Sequence, residues 1–340
     1  MTDHPITAPH GLSPAVRYTS LAPIPMYLAH SSTGVALSLT TAGFWALSPM
    51  FMASVGRRIG SYHTNLLRLV IAALALCLFV LPGYLLMHGP AHLPTRPQLA
   101  WVLASGIAGM VIGDIFFYET LVIAGPRRAV KLNTLAPVFA IFLAWFINGE
   151  HLSARVLGGA LLVIIAIMYA TFRQTTAAVD DEPAARGEPA RMGLAGFLCG
   201  VASAFCVGLG SVLQRKAFQS TPELPLDRIV ATVIRVGAAA GIMWVWPVIR
   251  GQAPAVLRHM GNAPLRSRML AGVVFGPLGG MLCYISALSL IEAGLVSTLV
   301  AASPLITIPV MAAKYRIRIG WDIVLATAVA VAGVAIVSVR

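Results

Sequence analysis

The chain of 340 residues predicts an all-α integral membrane protein, with ten transmembrane helices arranged as two inverted five-helix repeats. Three observations carry this. The composition is far too apolar for a water-facing surface. Ten apolar runs approach the length of a bilayer crossing. And segments of the first half recur in the second at a shared offset.

Apolar residues make up 58% of the chain and charged residues 11%, against about 45–50% and about 25% in soluble domains. The formal net charge is +12. A basic patch on a soluble face would suggest nucleic acid, but these cations sit between apolar runs, where a membrane protein places them. No nucleic-acid partner is expected. Cys77, Cys199, Cys206 and Cys283 all lie inside apolar runs without a CxxC pair. They read as small buried side chains, and no metal or redox cofactor is expected.

A bilayer core of about 30 Å needs roughly 20 residues of helix. The runs are about 35–55, 64–86, 98–123, 127–147, 153–172, 192–213, 228–249, 268–291, 294–313 and 320–339. Backbone groups in lipid must bond within the segment, so helices follow unless the chain closes a barrel, and these runs lack the alternation of barrel strands. Residues 1–34 carry Pro5, Pro9, Pro14, Pro23 and Pro25. They lack the parts of a secretory signal and read as a flexible N-terminal tail with a short interfacial stretch near Met26–Leu28. Residues 173–191, with Asp180, Asp181, Glu182, Pro183 and Pro189, read as a polar linker. The expected organisation is therefore a tail, a first repeat over 35–172, the linker, and a second repeat over 192–340.

The halves resemble each other. Leu67–Ala73 matches Ile234–Ala240, and Leu135-Ala136-Pro137 matches Ala302-Ser303-Pro304, both at an offset of 167 residues. A duplicated unit of five helices reverses its orientation in the second copy, the inverted-repeat plan of many secondary transporters, which places substrate near the midplane at the repeat interface. Loops after odd-numbered helices hold 15 of the 24 basic residues, and the tail, other loops and C-terminus hold seven. The positive-inside rule then puts both termini outside.

Gly125–Ala170, GPRRAVKLNTLAPVFAIFLAWFINGEHLSARVLGGALLVIIAIMYA, carries a small-residue turn, a helix with proline in its first half, a Gly149-Glu150 turn, and a last helix opening on Gly159-Ala160. It resembles the end of the five-helix unit of the EamA-type transporters, in the drug/metabolite transporter (DMT) superfamily. Ala293–Ser338 fits through Ala293-Gly294, Ser303-Pro304 and Gly333, but has Tyr315-Arg316-Ile317-Arg318 where the first copy has Gly-Glu. The resemblance implies secondary transport, often efflux, of small metabolites such as amino acids, or of drugs. It also implies a multi-pass protein of a bacterial inner membrane.

Ionisable groups inside spans are functional candidates. Asp114 sits roughly 16 Å from the turn at Gly125, near the midplane. It is a candidate for a coupled proton, or for a structural pair with Arg68. Glu119 and Lys131 stand at equal depth in one hairpin and suggest an ion pair, with carboxylate binding by Lys131 the other reading. Arg68 and Arg235 occupy equivalent places and suit either an anionic group or anchoring by snorkelling to the headgroups. Trp45, Tyr118, Asn133 and Tyr284 are candidates for stacking and hydrogen bonding in a cavity. Pro137 and Pro304 each remove a backbone hydrogen bond and suggest paired hinges. Gly109 and Gly113, with Gly272, Gly276 and Gly280, permit close helix contact, within a monomer or in a homodimer. Glu150 reads as accepting backbone hydrogen bonds at the start of the fifth helix.

The leading function is secondary active export of small organic metabolites, with the bilayer and a small-molecule substrate as partners. A lipid or polyprenyl-phosphate-linked flippase, using Arg68, Arg235 or Lys131 on phosphate, is the alternative. A membrane-embedded lipid-modifying enzyme ranks last, because no GxSxG, HExxH, Walker A or paired DDxxD motif is present. No catalytic residue is assigned. A reporter fused after Arg340 and active only in the cytoplasm is expected to stay silent, and a fully active fusion would reverse the assigned orientation.

Overall fold

The computed structural model describes residues 24–124, 132–150, 152–177, 193–303, 306 and 321–338. Among them the regular structure is helical, with no strand. Helix α1 spans Ile24–Ile59. Helix α2 runs Ser61–Ala75, through a π turn at Leu76–Val80, to Leu81–His88. Helix α3 runs Arg96–Gly106, through a π turn at Ile107–Ile112, to Gly113–Ala124. Helix α4 is Ala136–Leu143 with a π turn at Ala144–Asn148, and α5 is Ala154–Ala177. In the second half α6 is Leu194–Gln219 and α7 Arg228–Ile249. Helix α8 is Ala263–Val273, a π turn at Val274–Leu278, and Gly279–Leu290. Helix α9 is Ala293–Val300, and α10 is Trp321–Ser338.

Each expected run contains described helix, although several edges move and 127–131, 192, 304–305, 307–313, 320 and 339 of the expected runs lie outside the described residues. The tail ends earlier than expected, because α1 begins at Ile24 rather than near 35. Pro25 in its first turn fits the fixed φ of a helix start, and no further proline interrupts the chain before Pro49. Helix α5 likewise continues to Ala177 rather than stopping at 172. Among the described residues five helices are long and apolar enough to cross a membrane: Tyr62–His88, Arg96–Phe117, Leu194–Gln219, Arg228–Ile249 and Ala263–Leu290. Phe79, Leu86 and Ile249, on the outside of the bundle, are about three-quarters or more exposed, as expected of side chains that meet lipid rather than water.

The helix ends follow local chemistry. Thr95 and Gln98 form a reciprocal capping box at the start of α3. The Asp227 carboxylate accepts from the N–H groups of Ile229 and Val230 at the start of α7. Asn262 accepts from Leu265 N at the start of α8. Gly149, in the left-handed region at φ 65°, ends α4.

The two repeats pack with an internal pseudo-twofold relation. Helix α1 lies against α8 and α9 of the other repeat, and correspondingly α6 lies against α3 and α4. Helix α2 meets α8 as α7 meets α3, while α2–α7, α4–α9 and α5–α10 pair each helix with its own counterpart. The sequence offset survives in the backbone. The π turns of α3 and α8 begin at Ile107 and Val274, 167 residues apart, and turns interrupt the fourth and ninth helical runs at 134–135 and 301–302 with the same spacing.

Small residues allow the close crossings. A Cβ on Gly210 would stand 2.9 Å from Gly109 Cα and 3.1 Å from the Ser105 carbonyl oxygen. Gly113 faces Cys206 and Val207, Gly272 faces Met52, and Gly276 faces Ser48, so these glycines serve contacts inside one chain. Serines of the leading helices bond across: Ser48 Oγ donates to Gly272 O at 2.9 Å, and Ser203 Oγ to Gly113 O at 3.0 Å. Gly210→Ala forces a methyl into backbone that has no side chain to move, and overpacking of this kind costs about 1–3 kcal/mol. The thermal midpoint of the detergent-purified variant should fall, whereas Gly158→Ala, with nothing within 4 Å, should leave it unchanged or slightly raised.

Candidate functional site

A cavity of about 230 Å³ lies where the two repeats meet. Its walls come in pairs at the 167-residue offset. Arg68 of α2 answers Arg235 of α7, and Gly109 and Met110 of α3 answer Gly276 and Pro277 of α8. Asp114 answers Met281, and Phe117 answers Tyr284. Trp45 and Ser48 of α1, Ser203 and Val207 of α6, and Asn133 complete the lining.

Six of the expected residues, Trp45, Arg68, Asp114, Asn133, Arg235 and Tyr284, thus meet in one cavity. Tyr118 lies on α3 one residue beyond Phe117, and its side chain falls outside the described residues. Lys131 also lies outside them, so the expected Glu119–Lys131 pair is not described, and Glu119 itself is exposed. Pro137 stands in the first turn of α4, directly after the break at 134–135, while Pro304 falls outside the described residues. At the break, the N–H of Leu135 bonds back to Leu132 O at 3.1 Å. Its counterpart, Ala302 N, bonds to Leu299 O at 3.2 Å, a tight turn in each case.

The π turns tell what else lines the space. Those of α3 and α8 sit at the cavity wall, and within the one in α8 Gly276 leaves the helical region at φ −96°, ψ −105°, next to Pro277. A π turn widens the helix locally and leaves backbone groups less regularly paired, a geometry common at functional sites. These turns, with Ser48, Ser203, Phe117 and Met281, escaped the reading of the sequence. The 167-residue offset carries Asp114 to Met281 and Tyr284 to Phe117, and so points to both.

The charges are unevenly shared. Arg68 Nη2 donates to Asp114 Oδ2 at 2.5 Å, and Arg68 Nε to Asn65 Oδ1 at 2.6 Å. Asn65 is itself fixed against Met243 Sδ at 3.3 Å. Asp114 therefore has the partner that α3 and α4 alone do not offer. Arg235 is 3% exposed, so it does not reach a headgroup layer and the anchoring alternative does not apply to it. Its Nη1 donates to Gly210 O at 3.2 Å and Gln214 Oε1 at 3.4 Å. Its guanidinium carbon lies 5.9 Å from the Tyr284 ring centre, a cation–π distance. Tyr284 in turn packs on Trp45, with ring centres 5.1 Å apart. No described carboxylate pairs with Arg235.

A second polar cluster closes the bundle away from the cavity. Glu150, 9% exposed, accepts from Asn148 Nδ2 at 3.2 Å and from Ala293 N at 3.0 Å, and lies 3.7 Å from Arg215 Nε. The expectation that it serves the start of α5 is corrected: it caps α9, in the other repeat. The α4–α5 turn projects against α6 and α9, where Ala293 N is the free donor. Burial pushes the Glu150 carboxyl above the ordinary carboxylate range, against the opposing pull of Asn148, Arg215 and the Ala293 N–H. Arg215 Nη1 and Lys216 Nζ donate to the carbonyls of Leu288 and Ile147 nearby. Glu150→Ala removes the acceptor of the Ala293 N–H and the carboxylate beside Arg215. It should destabilise the purified protein by about 1–3 kcal/mol, and Glu150→Gln by less, read as thermal midpoints in detergent.

Comparison with known proteins agrees with this architecture. The sequence model of the EamA-like transporter family matches the chain over residues 32–172 and again over 194–339. The chain is 29% identical over 138 residues to a Bacillus subtilis (strain 168) protein named "Uncharacterized transporter YvbV". That match covers 40% of this chain and 44% of the relative, so it spans less than half the relative's length. A solved crystal structure superposes with a TM-score of 0.66 at 19% identity, covering 91% of this chain and 95% of its own. It shows a shared fold.

Proposed function

The chain belongs to the EamA-like transporter family, and from that premise we propose that it is a secondary active exporter of small organic metabolites, working by alternating access of two inverted repeats about the central cavity. The observation that carries the reading is the pairing of the cavity walls at one sequence offset. A site built from equivalent positions of both repeats lies on the pseudo-twofold axis, where rocking of one repeat against the other would expose it to each side in turn. The matched π turns of α3 and α8, and the matched breaks at 134–135 and 301–302, give the repeats equivalent places to bend.

The cavity volume favours metabolites over drugs. At about 230 Å³ it falls below the roughly 300–1,000 Å³ usual for drug-sized ligands. Its lining mixes the aromatic faces of Trp45, Phe117 and Tyr284 with a few polar groups, as ligand sites do. The location follows from the family and the apolar helices: the protein is a multi-pass integral membrane protein, and the bacterial inner membrane is the proposed compartment.

Asp114 is the proposed coupling group. It faces the cavity with Arg68 as its ion-pair partner and lies within electrostatic reach of Arg235. Protonation would release Arg68 and so link proton movement to the shape and charge of the site.

The test is reconstitution into proteoliposomes loaded with a metabolite extract, with the departing compounds identified by mass spectrometry against protein-free vesicles. Selective release is expected, and its absence under every imposed gradient would reject the transporter reading of this cavity. Trp45→Ala should slow release roughly two- to tenfold through loss of the Tyr284 contact. Asp114→Asn should express normally yet lose the response to a pH gradient, and an unchanged response would remove Asp114 from coupling.

A further inference from the structure

The charges lining the cavity do not balance. Two guanidinium groups face one carboxylate, and that carboxylate is committed to Arg68 at 2.5 Å. Arg235 is the surplus cation, almost wholly buried, with no described carboxylate as partner. A buried charge without a carboxylate of its own is expensive in a low-dielectric setting, so its place in the wall needs a reason.

The hydrogen bonds of Arg235 show which part of it is spoken for. Nη1 is held by Gly210 O and Gln214 Oε1. Nε is buried and has no hydrogen-bond partner. Nη2 lies beside Gly109, where a Cβ would come within 3.1 Å of it, and Gly109 itself lines the cavity. The Nε and Nη2 edge of a guanidinium is the planar fork that receives two oxygens of one oxyanion. Nη1 fixes the group in place, while the absent side chain at position 109 keeps space at the fork. A second unpartnered group faces the same cavity: Asn133 Oδ1 is buried without a donor.

We propose that the cavity binds a small organic oxyanion, held side-on by the Nε and Nη2 edge of Arg235, with a hydrogen-bond donor of the same molecule directed to Asn133. The assignment rests on the reading of the cavity as the transport site and names the class of molecule it takes. An amine is disfavoured, because the one carboxylate that would receive it is occupied by Arg68. A carboxylate and a phosphate monoester share the required pair of oxygens.

Full-length protein in detergent, titrated with lactate, glycerol 3-phosphate, lactamide, glycerol and ethanolamine, provides the test, read as the rise in thermal midpoint. Lactate or glycerol 3-phosphate should stabilise the protein and the neutral and cationic probes should not, and the stronger of the two anions identifies carboxylate or phosphate. Arg235→Gln should weaken anion binding roughly tenfold to a hundredfold. Arg235→Lys keeps the charge but loses the fork and should also bind more weakly. Gly109→Ala keeps Arg235 and places a methyl against Nη2, so it decides the matter if the arginine variants do not fold. Equal stabilisation by lactamide, glycerol or ethanolamine, abolished by Trp45→Ala, would overturn the anion assignment and leave the cavity reading intact. Anion binding that survives in folded Gly109→Ala and Arg235→Lys would overturn the fork. No shift with any probe at millimolar concentration would overturn the assignment of substrate class, and the transport assay then decides the cavity reading on its own.

Discussion

Helix α3 can reach α6 only because Gly109 and Gly210 meet without side chains, and most of the site depends on that crossing. It sets the backbone of one repeat directly on that of the other. It also brings the Gly210 carbonyl and Gln214 to Arg235 Nη1 and leaves room for the rest of the guanidinium beside Gly109. Ser105, one turn before Gly109, donates to Gln214 Oε1 at 2.9 Å, so the residue that steadies Arg235 is itself steadied from the other repeat. A side chain at Gly210 would meet the α3 backbone at 2.9–3.1 Å, push α3 away and loosen each of these contacts together. In lipid there is little hydrophobic force to restore them, because packing and hydrogen bonding carry helix association there.

The symmetry of the frame and the asymmetry of its chemistry do different work. Glycines, π turns and helix breaks recur in both repeats, and these are the features that let helices cross and bend. The ionisable and aromatic groups do not recur faithfully. Asp114 stands opposite Met281, and Phe117 opposite Tyr284. A cavity on a strict twofold axis would present the same chemistry twice. Here one repeat holds a neutralised Arg68–Asp114 pair, and the other holds Arg235 against an aromatic ring. The two walls of the cavity are therefore unlike.

Much of this was legible in the sequence, for identifiable reasons. The helical class follows from apolar runs, because a bilayer leaves the backbone few other choices. Arg68, Asp114 and Arg235 stood out because charge inside a span is rare. Helix edges were less legible: Arg173–Ala177 continues α5 into polar sequence, where hydropathy has no signal, and Ile24–Ala29 is an apolar stretch set off from the first run by His30–Thr33. The partner of Asp114 could be suspected, but only the packing of α2 against α3 selects Arg68. Glu150 shows the limit most clearly. Its role as a helix cap was readable from its turn, whereas the helix it caps lies 143 residues away in the chain. The π turns have no composition of their own and become visible only as backbone.

Those turns also bear on register. The turns in α3 and α8 begin at Ile107 and Val274, at the same offset that aligns Arg68 with Arg235. Asp114, beyond the turn in α3, keeps that offset to Met281, beyond the turn in α8. Both helices therefore carry an irregular turn at the same depth without slipping against each other, and the residues on either side of it stay in matched places. A residue gained or lost in one turn alone would rotate the far half of that helix by roughly 100° and take Asp114 or Met281 off the cavity wall.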